Sequence, residues 1–255
     1  MQLTILGCSG SVPVPGNPAS GYLVSFPDSP SIVIDMGPGT LAQLQKYQDP
    51  CDAHVVFSHL HADHCADFPS LLVWRRYHPG APANRRHFLF GPADAPVRLG
   101  RVSADTVDEV DDFSDTFAFE AWKAGERQLV DDVYITPFPV KHPIEAFALR
   151  IENSATGKVV TFSGDTAPCD ELVDAARGAD VFLCEAAWGE SSEGKAPDMH
   201  MDGAQAGRAA RLAGVKKLVL VHLQPWGDVE ATVAAARSEF DGEIIVGAAD
   251  MVFDI

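Results

Sequence analysis

SHLHADHC, residues Ser58 to Cys65, follows directly on the apolar run Val55-Val56-Phe57 and puts His59, His61, Asp63 and His64 within six positions. Imidazole and carboxylate are the usual ligands of zinc and related divalent ions, and histidines two apart on a turn after a strand can converge on one ion. A shuffled chain with its 9 His and 24 Asp would contain H-x-H-x-D-H only about one time in a thousand. The bland alternative, polar residues decorating a surface loop, explains that spacing poorly.

Working outward, short β-rich runs bounded by Gly and Pro predict strands at Leu3 to Leu6, Tyr22 to Phe26, Ser31 to Asp35 and His54 to Phe57, with a helix near Thr40 to Tyr47. Pro13, Pro15 and Pro18 forbid a helix after the first strand, and GCSGSV does not fit the G-x-G-x-x-G fingerprint, which argues against a dinucleotide fold. Beyond the histidine cluster, Phe68 to Tyr77 reads as a helix. Residues 87 to 140 read as short strands around a solvated acidic loop, DTVDEVDDFSD (105 to 115). From residue 146 strands alternate with helices: strands at Ala146 to Glu152, Val159 to Ser163, Val181 to Glu185, Leu218 to His222 and Ile244 to Val246, helices near Asp170 to Arg177, Asp202 to Ala213 and Val229 to Phe240. No low-complexity linker and no repeat interrupts this order, so residues 1–255 are expected to form a single domain.

The composition, 46% apolar and 22% charged, is that of a folded chain. A net charge of -17 repels nucleic acid and anionic lipid unless a local basic patch intervenes. No basic leader and no membrane-length apolar run is present, so a cytoplasmic protein is expected. Five scattered cysteines without a C-x-x-C pair read as reduced thiols; only Cys65 adjoins the cluster.

Other metal-binding residue types stand where strands run out: His142 after PFPV, Asp165 in VTFSGDT and His222 ending KKLVLVH. Each alone is an ordinary loop or core residue. With the cluster they supply enough nitrogens and oxygens for two ions.

With these residues in order, the chain resembles the metallo-β-lactamase superfamily over nearly its whole length. The resemblance implies an α/β fold, an αββα four-layer sandwich with a dinuclear site at one edge. It implies that His59, His61 and His142 hold one divalent ion, Asp63, His64 and His222 the other, and that Asp165 bridges them. Hydrolysis is then the expected chemistry, with Zn²⁺ or Mn²⁺ as the pair of cofactors.

Asp165 with His222, in place of a cysteine ligand, resembles the tRNase Z and phosphodiesterase side of the superfamily. DMHMDGAQAGRAARLAGVKKLVLVH resembles the tRNase Z stretch in which a histidine, here His200, precedes a helix and assists the leaving group; an ordinary helix N-terminal contact is the alternative. LCEAAW resembles the strand whose acidic residue, here Glu185, orients that histidine from behind. Asp63 is expected to orient or deprotonate the nucleophile, so Asp63 and His200 are the candidate catalytic residues.

The chain also departs from tRNase Z. Only 22 residues separate His142 from Asp165, which leaves no room for a tRNA-gripping arm, and HLQPW replaces the usual ending after the last histidine. LGCSGS, SHLHADHC, VWRRYHP, SGDT and FLCEAAW together resemble the atypical class II cyclic-nucleotide phosphodiesterases. A small phosphodiester such as a 3′,5′-cyclic nucleotide is therefore the expected substrate, a large nucleic acid less so, and a membrane not. An RNA 3′-processing endonuclease, an ester or thioester hydrolase, and a metal- or nucleotide-binding regulator are the alternatives. In VWRRYHP, Trp74 and Tyr77 share a helix face and Arg75 and Arg76 read as solvated. The functional reading makes Arg75, Arg76 or Trp226 a substrate contact, or the helix a homodimer contact.

Overall fold

The computed structural model describes residues 1–255. One seven-stranded sheet contains β1 (Gln2–Gly7), β2 (Gly21–Ser25), β3 (Ser31–Ile34), β4 (Ala53–Val56), β5 (His87–Gly91), β6 (Phe117–Ala121) and, far along the chain, a last short strand at Val252–Asp254. The second seven-stranded sheet contains β7 (Gln128–Val130), β8 (Val133–Pro139), β9 (Phe147–Asn153), β10 (Val159–Phe162), β11 (Val181–Glu185), β12 (Lys217–Val221) and β13 (Glu243–Val246). The strand at Val252–Asp254, β14, pairs antiparallel with β1 and completes the first sheet in the order β14-β1-β2-β3-β4-β5-β6.

Both sheets turn one face inward. Their alternate residues, among them Leu3, Tyr22, Ile34 and Val56 from the first and Ile135, Leu149, Phe162 and Val219 from the second, merge into one core cluster of 22 buried residues. The outer face of the first sheet is covered by α1 (Thr40–Leu44), α3 (Phe68–Tyr77) and α4 (Ala95–Ser103), with the single turn α2 (Ala62–Cys65) at its edge. The outer face of the second is covered by α5 (Asp170–Ala176), α6 (Gly203–Ala213) and α7 (Val229–Arg237). This is the expected sandwich of two sheets between helical layers.

Strand direction then decides where a site can form. β3 to β6 run parallel in the first sheet and β10 to β13 in the second, while β1 and β8 are each two antiparallel steps away from β3 and β10. The carboxyl ends of β1, β3, β4, β8, β10, β11 and β12 therefore all open toward one edge, the usual place for a ligand in α/β sheets.

Two secondary-structure elements differ from the expectation. Ala95 to Ser103, expected among loops and strands, is the helix α4, and Val252–Asp254 adds an unforeseen edge strand. The acidic run is only partly solvated: Asp111 and Asp115 bind Arg76 through its Nη1 and Nε at 2.6 and 2.9 Å, and Asp112 caps the turn at Ser114.

Arg75 is the larger correction. α3 buries Phe68, Leu71, Leu72 and Arg75, one stripe at helical spacing, so the guanidinium enters the core instead of solvent. It is 1% exposed and donates to the carbonyls of Cys51, Arg85 and Thr116 and to Thr116 Oγ1. Those residues precede β4, β5 and β6, so Arg75 ties down the sheet edge opposite the histidine cluster and is not a substrate contact. Arg76, spent on its two aspartates, lies on the same helix and is removed from that role too. Of the aromatic pair, Trp74 stacks on His78 with ring centroids 4.5 Å apart, while Tyr77 is exposed.

Arg75→Met should lower unfolding free energy by about 3 kcal/mol or more, since several buried carbonyls lose their donor. Urea denaturation would measure this, and an unchanged midpoint would refute the assigned role. Beside it, burial and the Arg75 guanidinium push His87 down to about 4. The unfolded chain takes up that proton near pH 6.5, so between about 6.5 and 4 it binds more protons than the fold and stability drops as pH falls. Removing the group in His87→Gln should make stability less pH-dependent over that window, and an unaltered slope would contradict the assignment.

Candidate metal centre

The strand ends deliver the ligands one by one. β4 leads through Phe57 and Ser58 to His59, and the turn that follows presents His61, Asp63 and His64. β8 leads to His142, β10 to Asp165 and β12 directly to His222. His222 adopts a left-handed backbone, φ 55°, as does Asp35 after β3, φ 57°. Neither is glycine, so each costs of order 1 kcal/mol that the surrounding packing must sustain. Glycine is required beside them: a Cβ on Gly10 would lie 2.3 Å from the His222 carbonyl oxygen, and one on Gly37 2.0 Å from that of Asp63.

All seven expected ligands meet in two quartets that share Asp165. His59, His61, His142 and Asp165 form one and Asp63, His64, His222 and Asp165 the other, each with its ligand atoms within 4.8 Å of one another. His142 Nε2 lies 3.0 Å from His61 Nδ1, His222 Nε2 3.0 Å from Asp63 Oδ2, and His64 Nε2 3.3 Å from Asp165 Oδ1. His59, His64, Asp165 and His222 are buried, whereas His61, Asp63 and His142 border the opening.

These residues fit divalent ions. His59 Nε2 and Asp165 Oδ1 are buried without a hydrogen-bond partner, a costly arrangement for a site meant to hold only side chains. Imidazole nitrogens also face one another, His64 Nε2 and His222 Nε2 at 3.3 Å. A mixed set of imidazoles and carboxylates suits zinc, manganese and their neighbours.

The outward-facing ring atoms are fixed from behind. Asp35, fully buried, accepts from Ser58 N, Ser58 Oγ and His64 Nδ1 at 2.8, 2.7 and 2.7 Å, which turns His64 Nε2 into the centre. His142 Nδ1 lies 2.9 Å from the Met199 carbonyl, and Ser58 Oγ 3.1 Å from His59 Nδ1. Ser11 N donates to Asp63 Oδ2 at 3.1 Å. Asp35 and Ser11 were not among the residues singled out from sequence; the only signal for Asp35 was its position at the end of a strand. Such supports hold ring orientation and raise ligand basicity.

The electrostatics follow from burial and crowding. Burial, joined by neighbouring imidazoles, keeps His59 well below the usual histidine range and lowers His61; burial also lowers His142. Burial opposes a proton on His64, but Asp165 and Asp35 outweigh it and raise that group. Burial likewise pulls Asp63 and Asp165 up, and the facing histidines reverse this and keep both carboxyls low. Unprotonated imidazoles and ionised carboxylates are the forms that bind metal, so His59, His61, His142, Asp63 and Asp165 stand ready, whereas His64 gives up a proton on binding. Burial pushes the Cys65 thiol up to about 11, which leaves it a neutral packing group.

At the rim, His200 Nδ1 lies 3.0 Å from Glu185 Oε1, and its ring is 5.5 Å from those of both His142 and His222. Glu185, 0% exposed at the end of β11, also accepts from the backbone N–H of Thr166, Ala187 and Met201. Burial opposes a proton on His200, and Glu185 overcomes it and raises the group. Trp226 stands apart, 67% exposed, its Nε1 donating to Gln224 Oε1.

Two sheets whose strand ends converge on an Asp-bridged pair of ligand sets define a metallo-hydrolase centre, and comparison with known proteins agrees. A model of the β-lactamase superfamily domain matches residues 31–223. The chain belongs to the β-lactamase superfamily. An uncharacterized protein of Mycobacterium leprae is 47% identical over 255 residues, spanning 100% of this chain and 89% of its own. The crystal structure of YhfI, a metallo-β-lactamase fold protein from Bacillus subtilis, superposes with a TM-score of 0.85 at 24% identity, covering 99% of this chain and 98% of that one. Ribonuclease Z of Ignicoccus hospitalis is 26% identical over 296 residues, with 94% of this chain and 93% of the relative aligned.

Asp35→Asn should weaken metal binding about 10- to 100-fold by freeing the His64 ring. Metal content after dialysis against a graded chelator would measure it; retention equal to the parent protein would show that Asp35 does not support the ligand.

Proposed function

We propose that this metallo-hydrolase is a phosphodiesterase acting on small phosphodiesters such as 3′,5′-cyclic nucleotides. The observation that carries the reading is the Glu185-His200 pair at the rim. It adds to the ligand set a proton donor of the kind a departing sugar oxygen requires.

Two divalent ions, Zn²⁺ or Mn²⁺, would supply Lewis acidity toward the phosphate oxygens and a nucleophile at neutral pH. The chain's own groups do the rest. His59, His61, Asp63, His64, His142, Asp165 and His222 are the residues that would hold them. Asp63, with its carboxylate fixed by Ser11 N and His222 Nε2 yet open at one side, orients the attacking water and takes its proton. His200, anchored by Glu185 through Nδ1, has no protein partner on Nε2 and delivers a proton from that atom to the leaving oxygen.

Two features favour a small substrate. The span between His142 and Asp165 is filled by β9 and β10, and the net charge of -17 opposes a long polyanion. RNA 3′-processing is the second reading, favoured by the Ignicoccus hospitalis relative that bears the name ribonuclease Z. Five free cysteines and no disulfide suit a reducing compartment, so we take the cytoplasm as its place.

With metal content measured, the protein should hydrolyse bis(p-nitrophenyl) phosphate and 3′,5′-cyclic AMP and leave a 3′-extended tRNA precursor intact. Asp63→Ala should abolish turnover. His200→Ala should slow it about 10²- to 10⁴-fold with metal retained. Cleavage of the precursor would restore the RNA reading, and a metal-loaded protein inert toward all three would end the phosphodiesterase proposal. Normal turnover by the His200 variant would remove that residue from the mechanism.

A further inference from the structure

Seven lysines stand in this chain, and five pair with carboxylates: Lys46 with Asp250, Lys123 with Glu126, Lys158 and Lys216 with Asp180, and Lys217 with Glu243. Lys141 and Lys195 make no ion pair, in a protein with 36 acidic residues. Lys141 precedes His142 in the chain. Lys195 stands over the indole of Trp188 with Nζ 5.7 Å from the ring centroid, and Trp188 packs at 89° against His200 with centroids 4.9 Å apart.

The segment carrying Lys195 is fixed at its base and open at its tip. Gly203 N donates to the Gly189 carbonyl at 2.8 Å, Ser192 N to Asp202 Oδ2 at 2.8 Å, and Gln205 Nε2 to Ser192 Oγ at 3.1 Å. Residues 193–198 are exposed, and Gly194 at φ 72° has no neighbour within 4 Å of where a Cβ would stand. A lysine there can swing without breaking a salt bridge. An exposed ammonium over an indole is held only weakly, so an anionic oxygen nearby captures it.

We propose that Lys195 is a substrate-binding residue: its ammonium leaves the face of Trp188 to contact the charged oxygens of a phosphate ester on the His200 side of the centre. This gives an acidic protein a local cation for an anionic ligand where the reaction needs it. The assignment goes to Lys195 rather than Lys141 because Lys195 stands on Trp188, the ring that packs against His200. As a step in turnover it rests on the phosphodiesterase reading; as an anion contact it does not.

The test uses metal-loaded full-length protein and the variants Lys195→Ala, Lys195→Arg and Lys195→Glu. For Lys195→Ala, KM for bis(p-nitrophenyl) phosphate should rise about tenfold with kcat within about twofold, the low end of what one charge-assisted hydrogen bond is worth. Lys195→Arg should restore most of the affinity, and Lys195→Glu should weaken it further than Lys195→Ala. Calorimetric titration with inorganic phosphate should show the same order, and a melting temperature unchanged in all three variants would exclude a folding defect. KM and phosphate affinity of Lys195→Ala both within twofold of the parent would overturn the proposal. Should the parent protein hydrolyse no diester, the function fails separately, and the phosphate titration alone decides for or against Lys195.

Discussion

A single buried carboxylate, Asp165, holds the centre together, because both ligand quartets need it and neither is complete without it. Around it five imidazoles turn their nitrogens toward one another, an arrangement that crowds lone pairs and leaves buried polar atoms without partners. Such crowding persists only where the backbone gives the side chains no alternative. Here seven strands end along one edge, and positive-φ residues at Asp35 and His222 turn the chain sharply where β3 and β12 stop.

The two sides of the centre are built differently. The inner side is sealed: Asp35 and Ser58 lock the His64 and His59 rings, and the core of both sheets begins immediately beneath. The outer side is open toward Asp63, His200, Trp188 and the exposed tip of the loop ahead of α6. Ligand geometry is thus set by strand ends and by the single turn after β4, while the groups at the opening stand on turns and a loop. Arg75, at the far edge of the first sheet, uses its charge to hold three strand starts in register and so lies outside this chemistry.

Much of this was legible because the signals were local. The cluster at His59 to His64, the strand-end positions of His142, Asp165 and His222, and the helix Phe68–Tyr77 all follow from short patterns. The misses were tertiary in origin. Ala95 to Ser103 carries Pro96 and Gly100, which read as loop. Pro96 falls in the first turn, where no donor is needed, and Gly100 packs so tightly that a Cβ would lie 2.6 Å from Val110 Cγ1 and 2.7 Å from the Asp111 carbonyl oxygen. Arg75 looks solvated by residue type, and only its register on the buried stripe shows otherwise. Asp35 has no motif around it; its role emerges when Ser58 and His64 come within hydrogen-bond distance.

The central claim is that Asp165 makes two ion sites into one centre, and metal stoichiometry tests it most directly. Mass spectrometry of the intact protein under native conditions, after loading with Zn²⁺ or Mn²⁺, should find two ions per chain, and Asp165→Ala should lose both together while the fold survives by circular dichroism. A parent protein that holds one ion or none, or a variant that keeps two, would contradict the account.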